Sequence, residues 1–191
     1  MHKTGTTSLS TALNILGLDS AHWENAHWAK AIWLEMTALG RSLTLEKHYA
    51  MSDLPFTLLY EKLDAAYPGS KFILTTRNED LWLESVRRHW SQEYNPFRRQ
   101  WDTDPFTHKI HSEVYGRKKF DAEIFLARFR KHNADVQKYF EGRLDDLFVM
   151  DLDGFRDPRR DPWIKLCGFL DCDVPEKPYP LAFPTMDRVC K

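Results

Sequence analysis

Lys3-Thr4-Gly5-Thr6-Thr7-Ser8 opens the chain, and Leu9, Ala12, Leu13 and Leu16 follow it at i, i+3, i+4 and i+7 spacing. This stretch decides the fold. The spacing predicts an amphipathic helix, with Gly17 as its C-terminal stop. A glycine-containing loop that runs into a helix has a physical use. Gly5 permits a tight turn and a close ligand approach, because it has no Cβ. The helix N-terminus offers N–H groups and the positive end of its dipole to an anion. Thr6, Thr7 and Ser8 add hydroxyl donors, and Lys3 adds a full positive charge. The alternative use is a Ser/Thr-rich helix cap without a ligand. The loop is not a Walker A sequence, since its lysine precedes the glycine.

Outward from the loop, residues 25–39 and 54–67 have helical pattern, the second with Leu58, Leu59, Leu63 and Ala66 inward. Pro68-Gly69 breaks the chain. Lys71-Phe72-Ile73-Leu74-Thr75-Thr76 then predicts a buried strand, and Asn78 caps a helix reaching about residue 90. Residues 91–118 are polar with scattered aromatics, and predict a long binding loop with short helical pieces. Helical pattern returns over 120–141, with Phe125, Phe129, Val136 and Phe140 inward. Leu147-Phe148-Val149-Met150 predicts a second buried strand. Trp163, Leu166, Cys167 and Leu170 predict a last short helix before a tail with four prolines. Strands separated by helices imply one α/β domain over 1–191, a parallel β-sheet flanked by helices. Ligands bind beyond the carboxyl ends of such strands, so the residues just after each strand are the ones to inspect.

The composition narrows the function. The 191 residues suit one domain, and a net charge of −1 argues against a dedicated nucleic-acid or anionic-membrane binder. Seven Trp and twelve Phe read chiefly as core. Three cysteines, Cys167, Cys172 and Cys190, form no C-x-x-C pair, and a disulfide framework is not expected. A reducing, cytoplasmic setting follows, with no membrane span in this chain. An anchor upstream of residue 1 stays open.

The run from Lys3 to Leu9 resembles the 5′-phosphosulfate loop of sulfotransferases that use 3′-phosphoadenosine 5′-phosphosulfate (PAPS). A second signature of that family is a strand ending in Arg, with Ser eight residues on in the next helix. Here Arg77 follows Phe72-Ile73-Leu74-Thr75-Thr76, and Ser85 lies eight residues later. The two motifs stand in the family's order, about 70 residues apart. The stretch from Ala66 to Thr75, Trp82 with Ser85, Trp163-x-x-Leu166-Cys167-x-Phe169-Leu170, and Phe183-Pro184 are similar to further family patterns. The resemblance implies a P-loop nucleotide-binding type of α/β fold. It assigns Lys3, Gly5, Thr6, Thr7 and Ser8 to the 5′ end of the nucleotide, and Arg77 and Ser85 to its 3′-phosphate. It implies PAPS as co-substrate, adenosine 3′,5′-bisphosphate as product, and no metal. Lys3 would stabilise the leaving oxygen.

One departure matters. In the family a central strand precedes the loop, and here only Met1 and His2 do. We expect that first strand to be missing from this chain, most simply by truncation. A strand lent by a second copy, in a homo-oligomer, is the other route.

The acceptor needs a general base, commonly His or Glu in that family. His22 is the first candidate, because the chain returns to the ligand end of the sheet after the first helix. Asp53 and Glu24 are weaker candidates, and Asp53 could equally cap the helix that follows. His27 and His48 have nothing to favour them. His108 and His111 could share a helix face, but a third metal ligand is lacking. The acceptor, a small molecule or glycan, is not legible. A small-molecule P-loop kinase and a non-catalytic binding relative are the competing functions.

Overall fold

The computed structural model describes residues 1–22, 26–90, 104–153 and 161–181. Helices α1 (Thr6–Ile15), α2 (Ala26–Leu39), α3 (Phe56–Ala66) and α4 (Glu79–Trp90) alternate with strands β1 (Ser20–Ala21), β2 (Ala50–Met51) and β3 (Phe72–Thr76). Then come α5 (Pro105–Tyr115), α6 (Ala122–Tyr139), β4 (Leu147–Asp151) and α7 (Pro162–Leu170). The architecture is α/β, with small parallel sheets flanked by helices.

The sheet differs from the single one expected. The described strands form two separate parallel pairs, β1 with β2 and β3 with β4. Two-residue β1 and β2 are too short to give a periodic signal, which is why the sequence did not mark them. The loop lies against both pairs. The Thr4 and Thr75 hydroxyls are hydrogen-bonded at 2.6 Å, which ties residue 4 to β3. Met1 shares a core cluster with Leu54, which lies just past β2. No strand precedes Lys3 among the described residues.

Residues 105–115 are the clearest correction. A long loop with short helical pieces was expected there, and a continuous 11-residue helix is found. Its signals are local: Asp104 accepts from the Phe106 and Thr107 N–H groups, Pro105 sits at the first turn, and Gly116 ends it at φ 79°. Phe106, Ile110 and Val114, four residues apart, are buried against α4 and α6. The polar residues between them hid the stripe. The segment 91–103, with Arg98-Arg99, lies outside the described residues, as do Trp23, Glu24 and Phe183-Pro184.

The main core forms where α4, α5 and α6 meet. Trp82 is fully buried and stacked on Phe129, ring centroids 4.2 Å apart. Its indole N–H donates to the His2 carbonyl at 3.0 Å, so the core holds the backbone just before the loop. A second cluster packs Leu9, Ala12 and Leu13 of α1 against Met150, Trp163, Leu166 and Cys167. Burying such side chains is worth about 1.5–3 kcal/mol each before entropy is counted, so α1 has a firm back.

Candidate functional site

Each of the four parallel strands delivers a polar or charged side chain one or two residues past its carboxyl end. His22 follows β1, Asp53 follows β2, Arg77 follows β3 and Asp153 follows β4. Parallel pairing puts those ends on one side of each pair. His22, Asp53 and Arg77 are drawn to the loop at the start of α1.

The loop is bent by two positive φ angles, 65° at Lys3 and 85° at Gly5. Gly5 is required twice over. Its φ is one that side chains rarely adopt, and a Cβ there would stand 2.8 Å from Leu152 Cδ1. Gly5 is the N-cap of α1, and no side chain caps that end. The Ser/Thr-rich capping alternative therefore does not describe this helix. Thr6 and Thr7 turn to His22 instead: His22 Nε2 is 3.2 Å from Thr6 Oγ1 and 3.4 Å from Thr7 Oγ1.

Asp53 approaches the same ring nitrogen, with Oδ2 3.5 Å from Nε2. The helix-capping alternative for Asp53 fails too. Pro55 is the N-cap of α3, without a side-chain cap. Asp53 has φ 78°, in the left-handed region, and its side chain is only 7% exposed. Its Oδ1 has no hydrogen-bond partner, and His2 Nε2 is 3.7 Å away. Burial pushes its carboxyl above the usual range, against the opposing pull of His22, the N-terminal amine, the Leu54 N–H and Lys3.

Arg77 and Lys3 supply the positive charge. Arg77 Nη1 donates to the Lys3 carbonyl at 3.4 Å, and Nε lies 3.6 Å from Asp153 Oδ1. Asp153 also accepts from the Asn78 N–H at 2.6 Å, which fixes the turn into α4. Burial, and then the Arg77 charge, push the Lys3 ammonium below its usual range, while Asp53 opposes them. Two cations pressed together in a partly buried loop are an electrostatic invitation to an anion. Ser8 is buried in the first turn of α1. Ser85 is half-buried in α4, and no hydrogen bond joins it to Arg77.

Sequence reasoning missed two residues here. His2 was noted only as preceding the loop. It is buried, hydrogen-bonded through Nδ1 to the Tyr115 hydroxyl at 2.9 Å, stacked on the Tyr115 ring, and edge-on to His111 and Trp90. Burial, then the charges of His111 and His89, push its imidazole well below the usual range. Nothing in the sequence signals this, because Tyr115 and His111 lie more than a hundred residues away. Asp153 could have been found by extending the strand-end rule to β4. His48 lies elsewhere, bonded to Asp19 at 2.9 Å and packed on Trp28. His27 is exposed.

Among the described residues, no group of three or more His, Cys, Asp or Glu could hold a metal ion. Nor is any described helix long and apolar enough to cross a membrane.

Comparison with known proteins gives two findings. A family model described as a sulfotransferase domain matches residues 1–182. "Ava biosynthesis cluster protein M" of Aspergillus versicolor is 26% identical over 210 aligned residues, which cover 93% of this chain and 76% of that protein.

Proposed function

From the premise that this chain belongs to the sulfotransferase-domain family, we propose that it moves a sulfuryl group from PAPS to an acceptor hydroxyl or amine. One observation carries the reading. Lys3 and Arg77, both partly or fully buried, converge on an α1 N-terminus that no side chain caps, with His22 and Asp53 on the same end. The residues fit a nucleotide with anionic groups at both ends. Gly5 gives the loop the positive φ that turns it into α1, and the Lys3–Arg77 repulsion is relieved by negative charge.

When bound, PAPS supplies a sulfuryl group already activated by its bond to phosphate. Lys3, with the first-turn N–H groups of α1 and the Thr6 and Thr7 hydroxyls, would hold the 5′ end. Arg77, with Ser85, would hold the 3′-phosphate. Lys3 then offers a preorganised positive charge where negative charge grows on the leaving oxygen. His22 takes the acceptor proton at Nε2. Asp53 Oδ2, 3.5 Å from that atom, stabilises the imidazolium that forms. The Thr6 and Thr7 hydroxyls lie within hydrogen-bond reach of the same nitrogen and help to hold the ring in place.

Thermal-shift measurements test this. Adenosine 3′,5′-bisphosphate should raise Tm in the absence of Mg²⁺. Stabilisation by Mg-ATP alone would replace the reading with a phosphoryl-transfer enzyme. Binding of the bisphosphate without transfer to any hydroxyl or amine acceptor would leave a binding protein.

A further inference from the structure

The end of α7, remote in sequence from the loop, carries a second chemical feature. The helix stops at Leu170, and Asp171 takes the left-handed conformation at φ 57°, ψ 53°. The Cys172 N–H then donates back to the Cys167 carbonyl at 3.1 Å. This is the six-to-one bond of a Schellman motif. That motif sets its first and sixth side chains against one another, normally as an apolar contact. Here both are cysteines.

The two thiols differ in access. Cys167 is 1% exposed and belongs to the cluster that packs α7 onto Leu9, Ala12 and Leu13 of α1. Cys172 is exposed, and both are free thiols. We propose that Cys167 and Cys172 are a redox-active dithiol that closes to an intramolecular disulfide across the α7 terminus. The backbone bond between the two residues, 3.1 Å from the Cys172 N–H to the Cys167 carbonyl, holds them at the first and sixth positions of the motif. Burial comes first among the causes that push the Cys167 thiol up to about 11, and a hydrogen bond to Cys172 comes second. The charges of Cys172, Asp161 and Asp173 add to both.

The roles follow from exposure. Cys172, reachable from solvent, attacks a small-molecule disulfide of the glutathione type as its thiolate. One sulfur of that reagent is captured as a mixed disulfide, and the other leaves as a thiolate. Cys167 attacks the Cys172 sulfur, and the second small thiol leaves with the proton that Cys167 gives up. Two protein thiols are oxidised by two electrons, and one external disulfide is reduced to two thiols. The new bond encloses only residues 168–171, across a terminus already closed by the Cys172–Cys167 backbone bond. It clips the element that supports α1 from behind.

The test uses the 191-residue chain, reduced and freed of reductant. Incubation with glutathione disulfide is followed by acid quenching, alkylation and tryptic digestion. The digest separates the pair from Cys190, because peptide 166–188 contains Cys167 and Cys172 but not Cys190. That peptide should lose two hydrogens and take no alkyl label. Cys190→Ser should behave identically, and Cys172→Ser and Cys172→Ala should each abolish the closure. The oxidised protein should melt at a higher temperature than the reduced one. Three outcomes overturn the proposal: a mixed disulfide that stays on Cys172, a bond from Cys190 to either thiol, or full alkylation of both.

Discussion

Asp53 and Asp64 are both aspartates shielded from solvent, with side chains 7% and 13% exposed, yet the fold treats them oppositely. Asp64 is satisfied on every side. It accepts from Tyr139 Oη at 2.8 Å and from Arg143 Nη1 and Nη2 at 2.7 and 2.6 Å. The Arg143 hydrogen bonds hold its carboxyl below the usual range. Asp53 sits at a strained φ of 78° with an oxygen that finds no hydrogen bond, and burial drives its carboxyl up. Asp64 joins α3 to the turn after α6, which is a structural task complete within the protein. Asp53 is left unfinished beside the loop. An unmet cost of that kind persists where something other than stability retains it.

The comparison can be broken most directly at His22. His22→Ala should lower kcat for sulfuryl transfer by about 10²–10⁴-fold while the protein stays folded, since it removes the general base. Full activity in that variant would reduce the Asp53 pair to packing. Asp53→Asn comes next. It should cut transfer strongly and leave Tm unchanged or raised, because it removes a charge that burial penalises. A clear drop in Tm would place Asp53 with Asp64 as a structural carboxylate.

Arg77→Ala should weaken adenosine 3′,5′-bisphosphate by about tenfold or more in isothermal titration, as a lost charge-assisted phosphate contact. Unchanged affinity would mean that the nucleotide lies elsewhere. The smallest effect is expected at the satisfied carboxylate. Asp64→Asn should cost about 1 kcal/mol in chemical denaturation, with nucleotide affinity unaltered.

The pH dependence sharpens the contrast, because the two signs are opposite. Asp64 is depressed in the folded state. Its contribution is present above its unfolded value, about 4, and is lost as pH falls through the folded one. Asp53 is raised. The folded state binds its proton more tightly, so its ionisation lowers stability as pH rises from about 4 through the folded value. Denaturation series should therefore show the Asp64→Asn penalty shrinking towards low pH. Any gain from Asp53→Asn should shrink in the same direction, as both forms become neutral.

How far the site was legible depended on where its parts lie in the chain. The loop at residues 3–8 could be read because glycine, hydroxyls and a lysine are consecutive and the helix after them has a clean apolar period. Arg77 could be read because β3 is a five-residue apolar run. His22 could be named only because the chain returns to the ligand end after the first helix, and Asp53 only as the residue before the next helix, since β1 and β2 are two residues each and left no signal. Helix α5 was read only as short helical pieces within a loop, although its cap was written plainly as Asp104-Pro105, because the polar residues of its outer face dominate the segment.

By itself the sequence determined the local elements and the chemistry they carry: a phosphate-type loop, an arginine after a strand, helices with defined caps, and the resemblance to a sulfotransferase. These are set by neighbours within a turn or a strand, where propensity, period and capping act. Only the tertiary structure decided the pairing of strands into two separate ladders and the meeting of His22 with Asp53 and Thr6. It also decided the burial of His2 against Tyr115, 113 residues away. Those contacts depend on how whole elements pack, and on which polar atoms the packing leaves without water. No short window of residues contains that information.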